Sequence, residues 1–154
     1  MSVNVEHISV SPQRAFDVLA DHRYYGHWVV GSRMIRGADP EFPAAGSRFY
    51  HQVGLGPIHL SDHTEVRESS PPNRLVLHAR ARPFGTMLIS MEMAPEGGGT
   101  RVTMTEEPGD IFTRLVFTPI ANKLMKGRNV ESLRRLKEIA EGHGPSPEEA
   151  AAPS

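Results

Sequence analysis

The chain contains no cysteine, which excludes disulfide staples and thiolate metal sites. It has no apolar run approaching the roughly 20 residues needed to cross a bilayer, so no integral membrane association is expected. It also lacks a basic stripe. The 17 Lys and Arg are scattered among 18 Asp and Glu, giving a net charge of −1. A nucleic-acid partner is therefore not expected, because neutralising phosphates takes clustered positive charge. Residues 1–6 show neither a basic n-region nor an apolar h-region, and the expected location is cytoplasmic. Aromatic side chains are scarce, with a single tryptophan.

What the chain does have is turn punctuation, supplied by 14 Gly and 13 Pro in 154 residues. Val3, Val5, Ile8 and Val10 make a first short strand. Ser11-Pro12 then reads as an N-cap followed by proline at the first helical position. Ala15, Phe16 and Leu19 fall at helical spacing, so 12–20 is a short helix. Residues 22–29, holding Tyr24, Tyr25 and Trp28, read as a second. Turn signals at 39–46, 54–57, 69–73, 82–85 and 95–99 then separate six strands near 32–37, 47–53, 58–68, 74–81, 86–94 and 100–107. Short connections between successive strands imply antiparallel hairpins.

A helix begins at the N-cap Asp110, is broken or kinked by Pro119, and runs on from Ala121. At 3.6 residues per turn, Ala121, Met125, Asn129, Ser132, Leu133, Leu136, Ile139 and Ala140 share one face, and charged residues share the other. Gly142 and Gly144-Pro145 stop it. Residues 1–143 form one domain. Residues 144–154, rich in Pro, Ala and Glu, read as a disordered tail.

The strand faces carry the functional information. Closing Val53 onto Ile58 sets Phe49, His51 and Val53 on the face that carries Ile58, Leu60 and Asp62, with Thr64 and Val66 beyond. The next hairpin adds Leu75, Leu77, Ala79 and Ala81 with Met87, Ile89, Met91 and Met93. The last places Met93 with Val102, Met91 with Met104 and Ile89 with Glu106. The opposite face carries Arg48, His59, His63, Arg67, His78, Arg80, Glu92 and Arg101, so the sheet has one wet side.

Polar residues interrupt the inner face at His51, Asp62, Thr64 and Glu106, and Asn129 interrupts the helix stripe. Buried polar groups are costly unless hydrogen-bonded. Their convergence with small residues and methionines suggests a hydrated or ligand-filled cavity. The candidate ligand-contacting residues are Phe49, His51, Leu60, Asp62, Thr64, Leu77, Ala79, Ile89, Met91, Met104, Glu106, Met125 and Asn129. His51, Glu106 and Asp62 are candidate acid/base groups. Read singly, His51 and Glu106 also fit positions near strand ends that reach water at a rim, and Met91 and Met104 fit plain core.

Two motifs carry less than they suggest. His59 and His63, four apart, would form a zinc pair on a helix but lie about 13 Å apart along a strand. Gly97-Gly98-Gly99 lacks the strand-to-helix context of a phosphate loop and reads as a hairpin turn. No metal or cofactor is expected.

The order of one strand, two short helices, six strands and a long helix resembles the START/polyketide-cyclase superfamily (SRPBCC). The matching residues are Ser11-Pro12-x-x-Ala15-Phe16-x-x-Leu19-x-Asp21, Tyr25-x-x-Trp28, Gly46-Ser47-Arg48-Phe49, Pro72-x-Arg74-Leu75, Gly99-Thr100-Arg101-Val102-Thr103 and Asn129-x-x-Ser132-Leu133-x-x-Leu136-Lys137, across residues 2–142. The resemblance implies an α+β helix-grip fold, a seven-stranded curved antiparallel sheet around the long C-terminal helix. It does not single out an activity, since similar proteins include lipid and isoprenoid carriers, hormone binders, polyketide cyclases and chaperone activators. Three function classes stand: binding of a small hydrophobic ligand; a polyketide cyclase/dehydratase-type enzyme using His51 or Glu106, with Asp62 or Asn129 orienting a carbonyl; and an interaction module. A monomer or homodimer fits each.

Overall fold

The computed structural model describes the chain except Arg33, Gly56, Ala81, Pro83, Phe84, Phe117, Pro153 and Ser154, and describes the backbone alone at 53–55 and 116. The elements in order are β1 (Ser2–Ile8), α1 (Pro12–Leu19), a single 3₁₀ turn (His22–Tyr24), α2 (Tyr25–Trp28), β2 (Met34–Ala38), β3 (Arg48–Leu55), β4 (Ile58–Ser70), β5 (Arg74–Arg80), β6 (Thr86–Glu96), β7 (Gly99–Pro108), α3 (Ile111–Val116), α4 (Pro119–Ala140) and α5 (Pro147–Ala151). The seven strands form one antiparallel sheet in the order β1-β7-β6-β5-β4-β3-β2. With α4 lying along β1, this is the helix-grip fold.

Local chemistry sets most boundaries. The Ser11 hydroxyl accepts from the Arg14 N–H and Pro12 opens α1. Thr118 caps α4, with Pro119 at its first turn, so proline here starts a helix rather than kinking one. Gly97 and Gly98 take φ of +53° and +78°, the pair of left-handed residues that a two-residue hairpin turn requires. That turn fixes the β6–β7 register, pairing Met93 with Val102, Met91 with Met104 and Ile89 with Glu106 as expected.

Elsewhere the structure corrects the expectation. In the β3–β4 hairpin Val53 pairs with Leu60, and Leu55 with Ile58. The pairing is thus displaced by two residues from the expected one; the shift is even, so parity keeps the described side chains on their expected faces. The β4–β5 pairing shifts between Val66 and Glu68, an irregularity that leaves Arg67 without a cross-strand partner. In β1 the inward residues are Ser2, Asn4 and Ile8, while Val3 and Val5 are exposed.

The stretch expected to be a disordered tail also carries structure, at Pro147–Ala151. Ser146 and Glu149 form a reciprocal capping box at its start, and Ala150 packs against the core. Composition argued for disorder, but Ser146-Pro147-Glu148-Glu149 is a helix-initiating sequence.

The core lies between the sheet, α1, α2 and the C-terminal half of α4. Ile8, Phe16, Leu19, Leu75, Met91, Val102, Leu133, Leu136 and Ile139 are buried there. Outside it, α3 and the first turns of α4 leave Ile111, Phe112, Leu115, Ile120 and Leu124 exposed.

Candidate functional site

Between α4 and the sheet a cavity of about 190 Å³ remains. Strand alternation places most of its wall: Phe49 and His51 from β3, Thr64 from β4, Leu77 and Ala79 from β5, Met87 and Ile89 from β6, and Met104 and Glu106 from β7. From α4 come Arg128, Asn129 and Ser132, with 128 and 132 one turn apart on the same face. Tyr25, Trp28 and the segment 29–32 close the remaining side. That segment is pinned to α4 by the Val30 N–H, which donates to Ser132 Oγ at 3.1 Å. The Arg135 guanidinium also donates to the His27 carbonyl at 3.3 Å.

Arg80 also lines the cavity, and a charged cluster is built around Glu106, which is 1% exposed. Alternation along β7 turns it inward after Val102 and Met104. Arg128 Nη2 donates to both carboxylate oxygens, at 2.6 and 2.7 Å. Asn129 Nδ2 donates to Oε2 at 2.7 Å, and Asn129 Oδ1 accepts from Arg128 Nη2 at 3.3 Å. A buried carboxylate is tolerable only when paired and hydrogen-bonded, and this one is both. Asn129 bonds this carboxylate rather than a strand carbonyl.

On the opposite wall, His51 Nε2 lies 3.1 Å from Thr64 Oγ1. Burial lowers the His51 pKa, and the Asp62 carboxylate only partly offsets this. The imidazole is therefore neutral near pH 7 and retains a nitrogen able to accept a proton. His51 and Glu106 are both buried rather than at a wet rim.

Nine of the thirteen expected contact residues line one cavity: Phe49, His51, Thr64, Leu77, Ala79, Ile89, Met104, Glu106 and Asn129. Leu60, Asp62, Met91 and Met125 do not. Leu60 has the inward parity but stands 39% exposed. Met91 is fully buried in the core. Met125 lies half-buried on α4, outside the cavity wall.

Asp62 is buried as a structural lock. Its carboxylate accepts from the Arg82 and His63 backbone N–H groups and from the Arg82 guanidinium. Burial raises its pKa, but those hydrogen bonds outweigh burial and hold it below the usual value. It is thereby removed from the acid/base candidates.

Sequence reasoning missed Arg128 and the aromatic wall of Tyr25 and Trp28. Arg128 had a readable signal, a cation on the same helical face as Met125 and Ser132 and opposite a lone inward carboxylate. The segment 29–32 had none, since an irregular loop carries no periodicity.

No curated protein matches the chain by sequence. Solved structures share its fold. Protein TTHA0849 from Thermus thermophilus is 19% identical, with a TM-score of 0.66 over 90% of this chain and 95% of that one. The Aha1 dimer from Colwellia psychrerythraea is 16% identical, with a TM-score of 0.66 over 94% and 98%. DynU16, described as a putative protein in the dynemicin biosynthetic locus, is 12% identical, with a TM-score of 0.66 over 94% of this chain and 48% of its own. At these identities the likeness is one of fold. The sequence model for polyketide cyclase/dehydrase and lipid transport proteins matches residues 1–141. That span takes in both walls of the cavity, and the chain belongs to this family.

Proposed function

We propose that the protein binds a small hydrophobic molecule, of lipid, isoprenoid or polyketide-like character, in the cavity between the sheet and α4. The supporting observation is the cavity wall itself, apolar over most of its extent with a few polar groups set among Leu77, Ala79, Met87, Ile89 and Met104. Small-molecule sites are lined in this way. In this reading Phe49, Leu77, Ala79, Ile89 and Met104 supply apolar contact, while His51, Thr64, Glu106 and Asn129 set orientation. The volume of about 190 Å³ is below the ~300 Å³ at which drug-sized pockets begin, which favours a compact occupant over a long acyl chain. Native mass spectrometry of freshly purified protein tests this: a retained small molecule, or uptake from a panel of apolar compounds, is expected. Ala79→Phe, which fills the cavity, should abolish uptake while leaving the circular dichroism spectrum unchanged. Absence of any bound mass across the panel removes the proposal.

A second reading rests on His51. A neutral, buried imidazole facing an apolar cavity is equipped to abstract a proton from a carbonyl substrate, in cyclisation or dehydration. Glu106 is less suited, because Arg128 and Asn129 already occupy its oxygens. Under this reading His51→Ala loses turnover with the fold intact, and Glu106→Gln loses it too only where Glu106 shares the acid/base work. Wild-type rates in both variants would eliminate it.

A further inference from the structure

Helix α3 inverts the usual arrangement, in which a helix buries its apolar side. Thr113 is its buried residue, at 4% exposed, while Ile111, Phe112 and Leu115 face out. Hydrogen bonds enforce the inversion. Asp110 accepts from the Thr113 N–H at 2.7 Å, the Thr113 hydroxyl at 2.8 Å and the Thr86 N–H at 2.9 Å. The Thr86 N–H also donates to Thr113 Oγ1 at 3.0 Å. The polar side of α3 is thus fastened to β6, and its apolar side is held outward. The pattern Ile111, Arg114, Leu115 then recurs in α4 as Ile120, Lys123, Leu124. In each, a cation sits with two aliphatics at i, i+3 and i+4, which places all three on one side of the helix. All six residues are exposed.

Charge narrows what this face can meet. From Ile111 to Val130 the sequence has Arg114, Lys123, Lys126 and Arg128 and no Asp or Glu, in a chain of net charge −1. Glu106 takes Arg128. Arg114, Lys123 and Lys126 have no carboxylate against them among the described residues, whereas Arg134, Arg135 and Lys137 further along α4 are each paired with a glutamate. We propose that α3 and the first turns of α4 rest on an anionic membrane surface. The helices lie on the bilayer rather than span it; among the described residues none is long and apolar enough to cross. Ile111, Phe112, Leu115, Ile120 and Leu124 stand 59–80% exposed, and apolar exposure on this scale marks an interaction site. A lipid interface admits protruding apolar side chains without a complementary partner surface, while long Lys and Arg side chains reach its phosphates. A second copy is the poorer occupant, because two-fold pairing would set these cations against their own counterparts.

The experiment is co-sedimentation of the full chain with two kinds of vesicle, phosphatidylcholine alone and phosphatidylcholine with about one-third phosphatidylglycerol. The anionic vesicles are expected to bind at least about tenfold more tightly, since each free cation adds to the attraction. Raising the salt to about 0.5 M should remove most of that preference. Phe112→Gln combined with Leu115→Gln should weaken binding to anionic vesicles about tenfold or more, by taking apolar area from the interface. Lys123→Glu combined with Lys126→Glu should erase the preference for anionic lipid, and glutamate is as good a helix former as lysine. All four side chains are exposed, so both double variants should keep the wild-type circular dichroism spectrum. Should one of them fail to fold, the other and the salt dependence decide. Equal binding to both kinds of vesicle, or binding unmoved by either double variant, overturns the proposal. So does a wild-type dimer, seen by sedimentation equilibrium, that Phe112→Gln with Leu115→Gln turns into monomer, because the face then belongs to a second copy. Absence of binding to any vesicle overturns it too and leaves the face to an acidic protein partner. The cavity reading survives each of these outcomes, since none of the substituted residues lines the cavity.

Discussion

The two halves of α4 do different work. From Leu133 to Ala140 the helix buries Leu133, Leu136, Ile139 and Ala140 in the apolar cluster that also contains Ile8, Phe16, Leu19 and Val102. From Pro119 to Arg128 no residue is fully buried, and Ile120 and Leu124 stand 73% and 72% exposed. Described polar contacts hold that half: Asn4 Nδ2 donates to the Lys126 carbonyl at 3.2 Å, and Arg128 and Asn129 meet Glu106. One half is fixed by area removed from water, the other by a few directional bonds. The cavity lies beside the change from one to the other. A helix packed tightly along its whole length would leave no room for a ligand, and one held only by polar contacts would not stay folded.

The largest effect is expected in the packed half. Leu136 is fully buried, and Leu136→Ala should cost about 2–5 kcal/mol by lost transfer energy and the hole left behind, read as a lower urea midpoint with little change in slope. A cost below ~1 kcal/mol would mean that the two halves do not differ as described.

Next comes the polar clamp. Glu106→Ala removes the acceptor for Arg128 and Asn129 together. Stranding a buried cation costs about 3–5 kcal/mol, but the Arg128 side chain is 37% exposed and reaches some water, so about 2 kcal/mol is expected. Glu106→Gln should cost less, since an amide oxygen still accepts. Hydrogen exchange separates this effect from the first. Glu106→Ala should speed exchange across 119–129 more than across 133–140, and Leu136→Ala should speed both.

This division was only half legible in the sequence. The stripe from Ala121 to Ala140 reads as a single apolar face, because periodicity reports which side of a helix is apolar and not what lies beneath it. The β6–β7 register was legible to the residue, since the glycine turn leaves one pairing open. Leu60 shows the limit of the same logic, because parity gives a side chain its face but cover comes from elements distant in sequence. Arg128 escaped notice because charge on a helix ordinarily means a solvated side. Val3 and Val5 marked a strand without giving its buried face, and it is Ser2 and Asn4 that turn inward, where the Asn4 side chain reaches the α4 backbone.

A smaller effect is expected on acidification. The folded His51 pKa lies below its ordinary 6.5 because of burial, so below about pH 6.5 the unfolded chain binds the proton more readily. Stability from this group is complete above that pH, declines as pH falls toward the folded value, and then levels off. His63 and His78 are shifted the same way, burial leading in both. His51→Asn should therefore make the loss of stability below pH 6.5 shallower without abolishing it. Asp62 adds a separate loss at lower pH, beneath the ordinary 3.8 of a carboxyl that its hydrogen bonds hold down. An unchanged slope near pH 6 in the variant would show that His51 is not desolvated, and would weaken its candidacy as a base.

The smallest effect belongs to the exposed half of α4. Leu124 is 72% exposed, so Leu124→Gln removes little buried area and replaces one good helix former with another. A change within about 0.5 kcal/mol is expected, an order below that of Leu136→Ala although both replace a leucine of the same helix. Ligand uptake by native mass spectrometry should also survive, because Leu124 is not part of the cavity wall. Should Leu124→Gln destabilise by 2 kcal/mol or more, the N-terminal half of α4 must be covered by apolar contact in solution. The contrast between packed and polar-held halves would then have to be redrawn.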